Sequence, residues 1–252
     1  MRFVLVHGGF HGAWCWSRTI PELERLGHEA IAVDLPGHGE RVYEESTVQN
    51  RRDAVVSVLQ PGDVLVGHSG GGIDVTVAAD AATHLVNHVI YLAAGLPREG
   101  RTAPEATSMR DAEDGEFDAD VTKMLGYLHF DNDGAMTFAT FEGAWAFFYH
   151  DCDEPTARWA FEHLGPERFG SFSNTPLSVP RFWEADLPRS YILCLQDRSK
   201  PRWLSDVVAK RLGVEQLTID ASHSPFLSRP RELAELLVHA TTTTPVGPLI
   251  RD

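Results

Sequence analysis

The chain has 252 residues, 43% hydrophobic and 23% charged, and its 22 basic and 36 acidic side chains leave a formal charge of −14. That length accommodates one large core, with room for a cap inserted into a sheet. The acidic balance argues against nucleic acid and anionic membranes as partners, since both call for cations, and no apolar run reaches the ~18 residues of a membrane span.

Phe3-Val4-Leu5-Val6 reads as a buried strand that opens near residue 2 and runs into His7-Gly8-Gly9-Phe10. Trp16 to Leu26 reads as a helix closed by Gly27, Glu29 to Val33 as a strand, and Asp34-Leu35-Pro36-Gly37-His38-Gly39 as a turn. A helix over Asn50 to Leu59 and a Pro61-Gly62-Asp63 turn lead into a strand at Val64-Leu65-Val66. That strand meets Gly67-His68-Ser69-Gly70-Gly71 and then a small-residue helix, Gly72 to Ala82. His88 to Leu92 is a further strand. Such alternation predicts an α/β fold, a mostly parallel central sheet with helices on both faces.

The alternation breaks from about Arg98 to Leu187, so residues 98–187 read as a mainly helical cap inserted into a core of residues 1–97 and 188–240. Residues 105–120 are acidic and poor in apolar side chains, which predicts a solvated segment. Helices are expected over Val121 to Leu128, Phe138 to Tyr149 and Glu154 to Leu164. Strands resume at Tyr191 to Leu195 and Glu215 to Ile219, and Arg231 to His239 forms the closing helix. Residues 241–252, with four threonines and two prolines, predict a frayed tail.

Ser69 falls on a strand-to-helix turn, the place of a nucleophile elbow, where glycine neighbours permit the tight bend. The motif alone arises by chance in roughly one chain in ten of this length, so its context decides. Asp197 lies two residues past the strand ending at Leu195, and His223 follows the strand ending at Ile219. Serine, acid and histidine thus each follow a strand, in the chain order of a strand-borne triad. A serine hydroxyl needs a base to remove its proton during attack; His223 would serve, with Asp197 holding its tautomer. The amides of Gly9 and Gly70 would hold the oxyanion, with Phe10 as the alternative to Gly9.

These stretches, together with His11-Gly12-Ala13-Trp14, Leu26-Gly27-His28-Glu29 and Ser222-His223-Ser224-Pro225-Phe226, resemble the α/β-hydrolase superfamily. The resemblance is narrowest to its branch of plant methylesterases, hydroxynitrile lyases and small bacterial esterases, and it runs from residue 4 to about 238. It implies the α/β-hydrolase fold, no metal and no organic cofactor, and it allows a homodimer formed through the cap. The lyases of that branch carry a threonine where this chain has Gly8 and a lysine where it has Ser224. Both are missing, which favours an esterase. The expected activity is hydrolysis of a carboxylic ester or lactone of a small apolar or aromatic substrate through an acyl-enzyme. The rivals are a hydroxynitrile-lyase-like enzyme or acyltransferase on the same scaffold, and a non-catalytic small-molecule receptor.

The cap is rich in aromatic rings, and some should line a dry pocket over Ser69: the candidates are Phe10, Trp14, His68, Trp145, Phe148 and Trp183. His7 and His38 read as structural, and Asp220 as a weaker rival to Asp197. His150-Asp151-Cys152-Asp153 has metal-binding residue types, but consecutive residues diverge in direction, and Asp153 with Glu154 reads as a helix start. Cys15, Cys152 and Cys194 form no paired motif. That odd count and the early first strand, which leaves no room for a signal peptide, point to the cytoplasm.

Overall fold

A computed structural model describes residues 1–107, 119–132, 134–168 and 170–251. The strands are β1 (Arg2–Val6), β2 (Glu29–Val33), β3 (Asp63–His68), β4 (Val86–Leu92), β5 (Leu128–Phe130), β6 (Met136–Phe138), β7 (Arg189–Cys194) and β8 (Gln216–Ile219). The helices before the excursion that comes after β4 are α1 (Thr19–Arg25), α2 (Val48–Val56) and α3 (Gly71–Ala81). Within the excursion lie α4 (Ala103–Ala106), α5 (Ala119–Leu125), α6 (Phe141–Ala144), α7 (Glu154–His163), α8 (Gly170–Asn174) and α9 (Pro180–Ala185). After it come α10 (Arg202–Leu212), α11 (Pro225–Ser228) and α12 (Pro230–Ala240).

The two-residue period of each strand sorts its side chains into two apolar layers. Phe3, Leu5, Val64, Val66, Ile90, Leu92, Ile192 and Cys194 face one layer, with Leu23 of α1 and Leu233 and Leu237 of α12. Val4, Val6, Leu65, Val89, Tyr91, Tyr191 and Leu193 face the other, with Val55 of α2, Ile73 and Val77 of α3 and Val208 of α10. The sheet runs β2-β1-β3-β4-β7-β8, and all of its pairings are parallel. The chain turns outward from β1 to β2 and then back to β3, so the order reverses between β1 and β3. In such sheets the ligand crevice opens there, beyond the carboxyl ends of the strands.

The excursion differs from its expected form. Helix α5 stops at Leu125, Gly126 and Tyr127 turn off it, and β5 pairs antiparallel with β6 where helix was predicted to begin. Gly134, at φ +77°, reverses the chain between the two strands. Helix α6 starts only at Phe141, capped by Thr140, and continues as a π-helical turn over Trp145–Tyr149. Asp153 caps α7 through Thr156 N, as the Asp-Glu pair predicts. Leu177, Val179, Phe182 and Trp183 pack in the same layer as α3, so the last stretch of the excursion belongs beneath the sheet. The predicted solvated segment lies, for residues 108–118, outside the described residues.

The terminal residues are tethered, not frayed. Val246 N and Gly247 N donate to Gly213 O at 2.7 and 3.0 Å, Ile250 N donates to Arg211 O at 2.8 Å, and Arg189 Nη2 holds Gly247 O at 3.0 Å. Proline and threonine content signals loss of helix; it carries no information about these carbonyls docking on the β7–α10 flank. Among the described residues no helix is long and apolar enough to cross a membrane.

Candidate active site

Ser69 follows β3 directly and sits in the left-handed region, at φ +52°, a conformation that a serine holds only when its surroundings impose it. The surroundings are glycines. A Cβ on Gly71 would fall 2.4 Å from His7 O, and one on Gly67 would fall 2.6 Å from Val75 Cγ2, so helix, sheet and the loop after β1 close together only because those side chains are absent. A Cβ on Gly70 would meet only Gly9 N, at 3.8 Å. The backbones of Gly9 and Gly70 therefore face each other across the switch point, with Gly70 at the amino end of α3, where unpaired N–H groups favour negative charge.

His223 lies beyond β8 and donates from Nδ1 to Asp197 Oδ2 at 2.7 Å. The other Asp197 oxygen accepts from Ser199 N at 2.8 Å, Ser199 Oγ at 3.0 Å and Lys200 N at 3.1 Å. Burial pushes the Asp197 carboxyl up, but His223 and the Ser199 donors outweigh it and hold the carboxyl below its ordinary value. Asp220 is turned away and accepts from Gln196 Nε2 at 2.7 Å, so Asp197 is the acid that meets the histidine. Among the described residues no hydrogen bond joins Ser69 Oγ to His223. In resting enzymes that contact is often long, and it tightens when substrate arrives.

Ser69, His223, Gly9, Gly70, Phe10 and Phe148 line one cavity of about 500 Å³, within the usual range for small-molecule sites. The remaining wall is largely apolar, with Ile73, Val121, Met124, Leu128, Met136 and Phe172 among its side chains. Phe10 N donates to Glu167 Oε2 at 3.1 Å, so the alternative oxyanion donor is already engaged and Gly9 is left to face Gly70.

Four expected pocket residues lie elsewhere. Trp14 stacks on His11 at 5.4 Å and sets its edge against Trp159. Trp145 stacks on Phe141 at 5.4 Å. Trp183 donates from Nε1 to Glu99 Oε2 at 3.0 Å, on the α3 side of the sheet. His68 is a buried wedge: its Nε2 meets His223 O at 2.8 Å, and its ring lies 4.6 Å from that of His223. In each case the large ring finds a nearer partner than the cavity.

His7 is structural, as expected. It accepts from Leu35 N at Nε2, 3.2 Å, which leaves Nδ1–H to donate to Gly8 O at 2.8 Å. His38 does more than shape a turn, since its Nε2 bonds Glu167 Oε2 at 2.9 Å. Asp151 and Asp153 are spent on Ser222 N and Thr156 N, and among the described residues no cluster of metal-ligating side chains exists.

Three charged wall residues were not foreseen: Arg51, Glu167 and Lys200. Arg51 holds Asp74 with two 2.7 Å bonds. Lys200 donates from Nζ to Ala94 O and, at 2.8 Å, to Tyr191 OH. Burial pushes the Lys200 ammonium down to about 7 against the pull of Asp197. Its place three residues past Asp197 was a usable signal, whereas Arg51 on a helix and Glu167 in a loop look like ordinary surface charges in sequence.

The sequence model of the Alpha/beta hydrolase family matches residues 3–236. Norfluorocurarine synthase 2 of Strychnos sp is 28% identical over 95% of this chain and 94% of its own length. Methylesterase 2 of Arabidopsis thaliana is 27% identical, covering 94% of each chain. The crystal structure of polyneuridine aldehyde esterase superposes with a TM-score of 0.80 at 24% identity, covering 94% of this chain and 98% of that one, a likeness of fold.

Proposed function

Because the chain belongs to the alpha/beta hydrolase family, we propose that it is a carboxylic ester hydrolase acting on a small apolar or aromatic ester or lactone. The observation that carries the reading is the single cavity lined by Ser69, His223, Gly9 and Gly70, behind which Asp197 holds the imidazole. Ser69 Oγ attacks the carbonyl carbon while His223 Nε2 takes its proton. The Gly9 and Gly70 amides receive the oxyanion, and His223 returns the proton to the departing alcohol. Water, deprotonated by the same nitrogen, then releases the acid from Ser69. Relatives named methylesterases support a small alcohol as the leaving group. The three free cysteines, two of them buried, support a reducing, cytoplasmic setting.

One observation favours the lyase reading: an ammonium, that of Lys200, does line the cavity. Two of its three N–H donors are committed to Ala94 O and Tyr191 OH, and a Cβ at position 8 would fall 2.7 Å from Ser69 Cβ, leaving no room for a threonine on this backbone. Hydrolysis of p-nitrophenyl esters from acetate to decanoate, and of an aryl-acid ester, beside Ser69→Ala, tests the main reading. Serine-dependent release supports it. Cyanide release from an aromatic cyanohydrin without ester turnover would replace it with the lyase.

A further inference from the structure

Among the described residues, Glu167 is the only carboxylate on the cavity wall. Its backbone is fixed by a two-way pairing with Met136, at 2.8 and 2.9 Å, which directs the side chain down to the oxyanion loop. There Oε2 accepts from Phe10 N and His38 Nε2. Burial pushes the Glu167 carboxyl up, but His38, Arg51 and the Phe10 amide hold it below its ordinary value, so the group stays an anion. Arg51 gives its own hydrogen bonds to Asp74 and Ser46. Oε1 therefore takes no hydrogen bond from the described residues, in a side chain that is only 11% exposed.

An anion in that place carries two costs. A wholly apolar substrate would seal Oε1 away from water with nothing to donate to it. The charge also lies beside the oxyanion site, since a Cβ on Gly9 would come within 2.7 Å of Oε2, and it opposes the negative charge that develops there. Holding Phe10 at φ +64° requires only an acceptor, and a neutral amide oxygen would serve. His38 already lies against the charge at Oε2, so what the site leaves open is Oε1, an acceptor free for a donor that arrives with the substrate.

We propose that Glu167 is a specificity residue that binds a hydrogen-bond donor on the substrate, a protonated amine above all and a hydroxyl next. The inference rests on the esterase reading for its setting. A donor there satisfies Oε1, and a cationic one also cancels the repulsion beside the oxyanion.

The test uses methyl esters of arylacetic acids carrying ring CH3, OH or CH2NH3⁺, and a second series with the same groups on the alcohol side. With wild type, the ammonium ester of one series should exceed its methyl partner in kcat/KM by about ten- to a hundredfold, with the hydroxyl ester between them. In Glu167→Gln, which keeps an acceptor for Phe10 N, that ratio should fall at least tenfold, whatever the absolute rate on the methyl ester. No donor preference in either series, or an equal fall for all esters in Glu167→Gln, overturns the proposal and leaves a structural role only. Calorimetric binding of the matching amine and methyl acids and alcohols to the Ser69→Ala variant, with and without Glu167→Gln, reads the same ratio without turnover. Glu167-dependent amine binding in a protein that hydrolyses no ester would keep this inference and sink the esterase reading.

Discussion

Four buried histidines make the fold acid-labile well above the carboxylate range. Burial pushes His7 and His68 far below the ordinary 6.5, His11 down to about 3 and His88 down to about 4. Native protein therefore keeps His11 and His88 neutral at pH 5, with His7 and His68 shifted in the same direction, while the unfolded chain has protonated nearly all four. The unfolded state binds the additional protons, so stability falls as pH drops from 6.5 towards the folded values. His11 and His88 each contribute a loss of about 2 kcal/mol between pH 7 and pH 5, together about 4 kcal/mol, and His7 and His68 add to it in the same direction, against the 5–15 kcal/mol of a typical domain. Urea unfolding followed by tryptophan fluorescence at pH 7, 6, 5.5 and 5 measures it directly. His88→Gln, which removes a ring bonded, among the described residues, to Ser190 Oγ alone, should reduce the slope below pH 6 by about 1.4 kcal/mol per pH unit. A wild-type loss below about 2 kcal/mol between pH 7 and 5, or an unchanged slope in the variant, would refute the reasoning.

Ser69→Ala should lower ester turnover about a million-fold with the fold intact by circular dichroism, and near-normal activity would remove Ser69 from the mechanism. Asp197→Asn should cost about ten-thousandfold in kcat, because the amide can present an N–H to His223 Nδ1 and favour the wrong tautomer; a loss under tenfold would show that another acid serves. Lys200→Met should reveal the displacement of the ammonium from 10.5 to about 7. Below pH 7 the wild type carries the full burden of a buried charge, and it gains on the variant by about 5 kcal/mol as pH rises to 10.5. A pH-independent difference in urea unfolding between the two proteins would contradict that.

The architecture was legible because its signals are local. Buried strands announce themselves as short apolar runs, and Gly27 at φ +82° and Gly62 at φ +90° stand where the sequence reads a break. The β5–β6 hairpin escaped because Leu128-His129-Phe130 and Met136-Thr137-Phe138 are three-residue strands, too short for their alternation to stand out beside the helical patterns that flank them, and Ala139 N donating to Tyr127 O adds to their pairing. The Asp197–His223 pair was readable for a different reason. Each residue lies just past the end of its own strand, and parallel strands in register bring their C-terminal loops to the same edge of the sheet.

That same logic explains why the cavity wall could not be read. Phe10 and Glu167 are 157 residues apart, and what joins them is the pairing of residue 167 with Met136, itself set by the hairpin. Trp14, Trp145 and Trp183 were drawn to the pocket by size alone, yet an indole buries as much surface against His11, Phe141 or the α3 layer as against a ligand. On the proposed mechanism the chemistry belongs to strand ends, which a shift in the excursion leaves in place. The cavity wall that would set selectivity includes Val121, Met124, Leu128, Met136, Glu167 and Phe172, whose positions depend on the excursion's own packing. Substitutions at those residues can therefore alter which ester is accepted while the Asp197–His223 bond and the Gly9–Gly70 approach are preserved, and a charged residue among them is the place to look for what this chain selects.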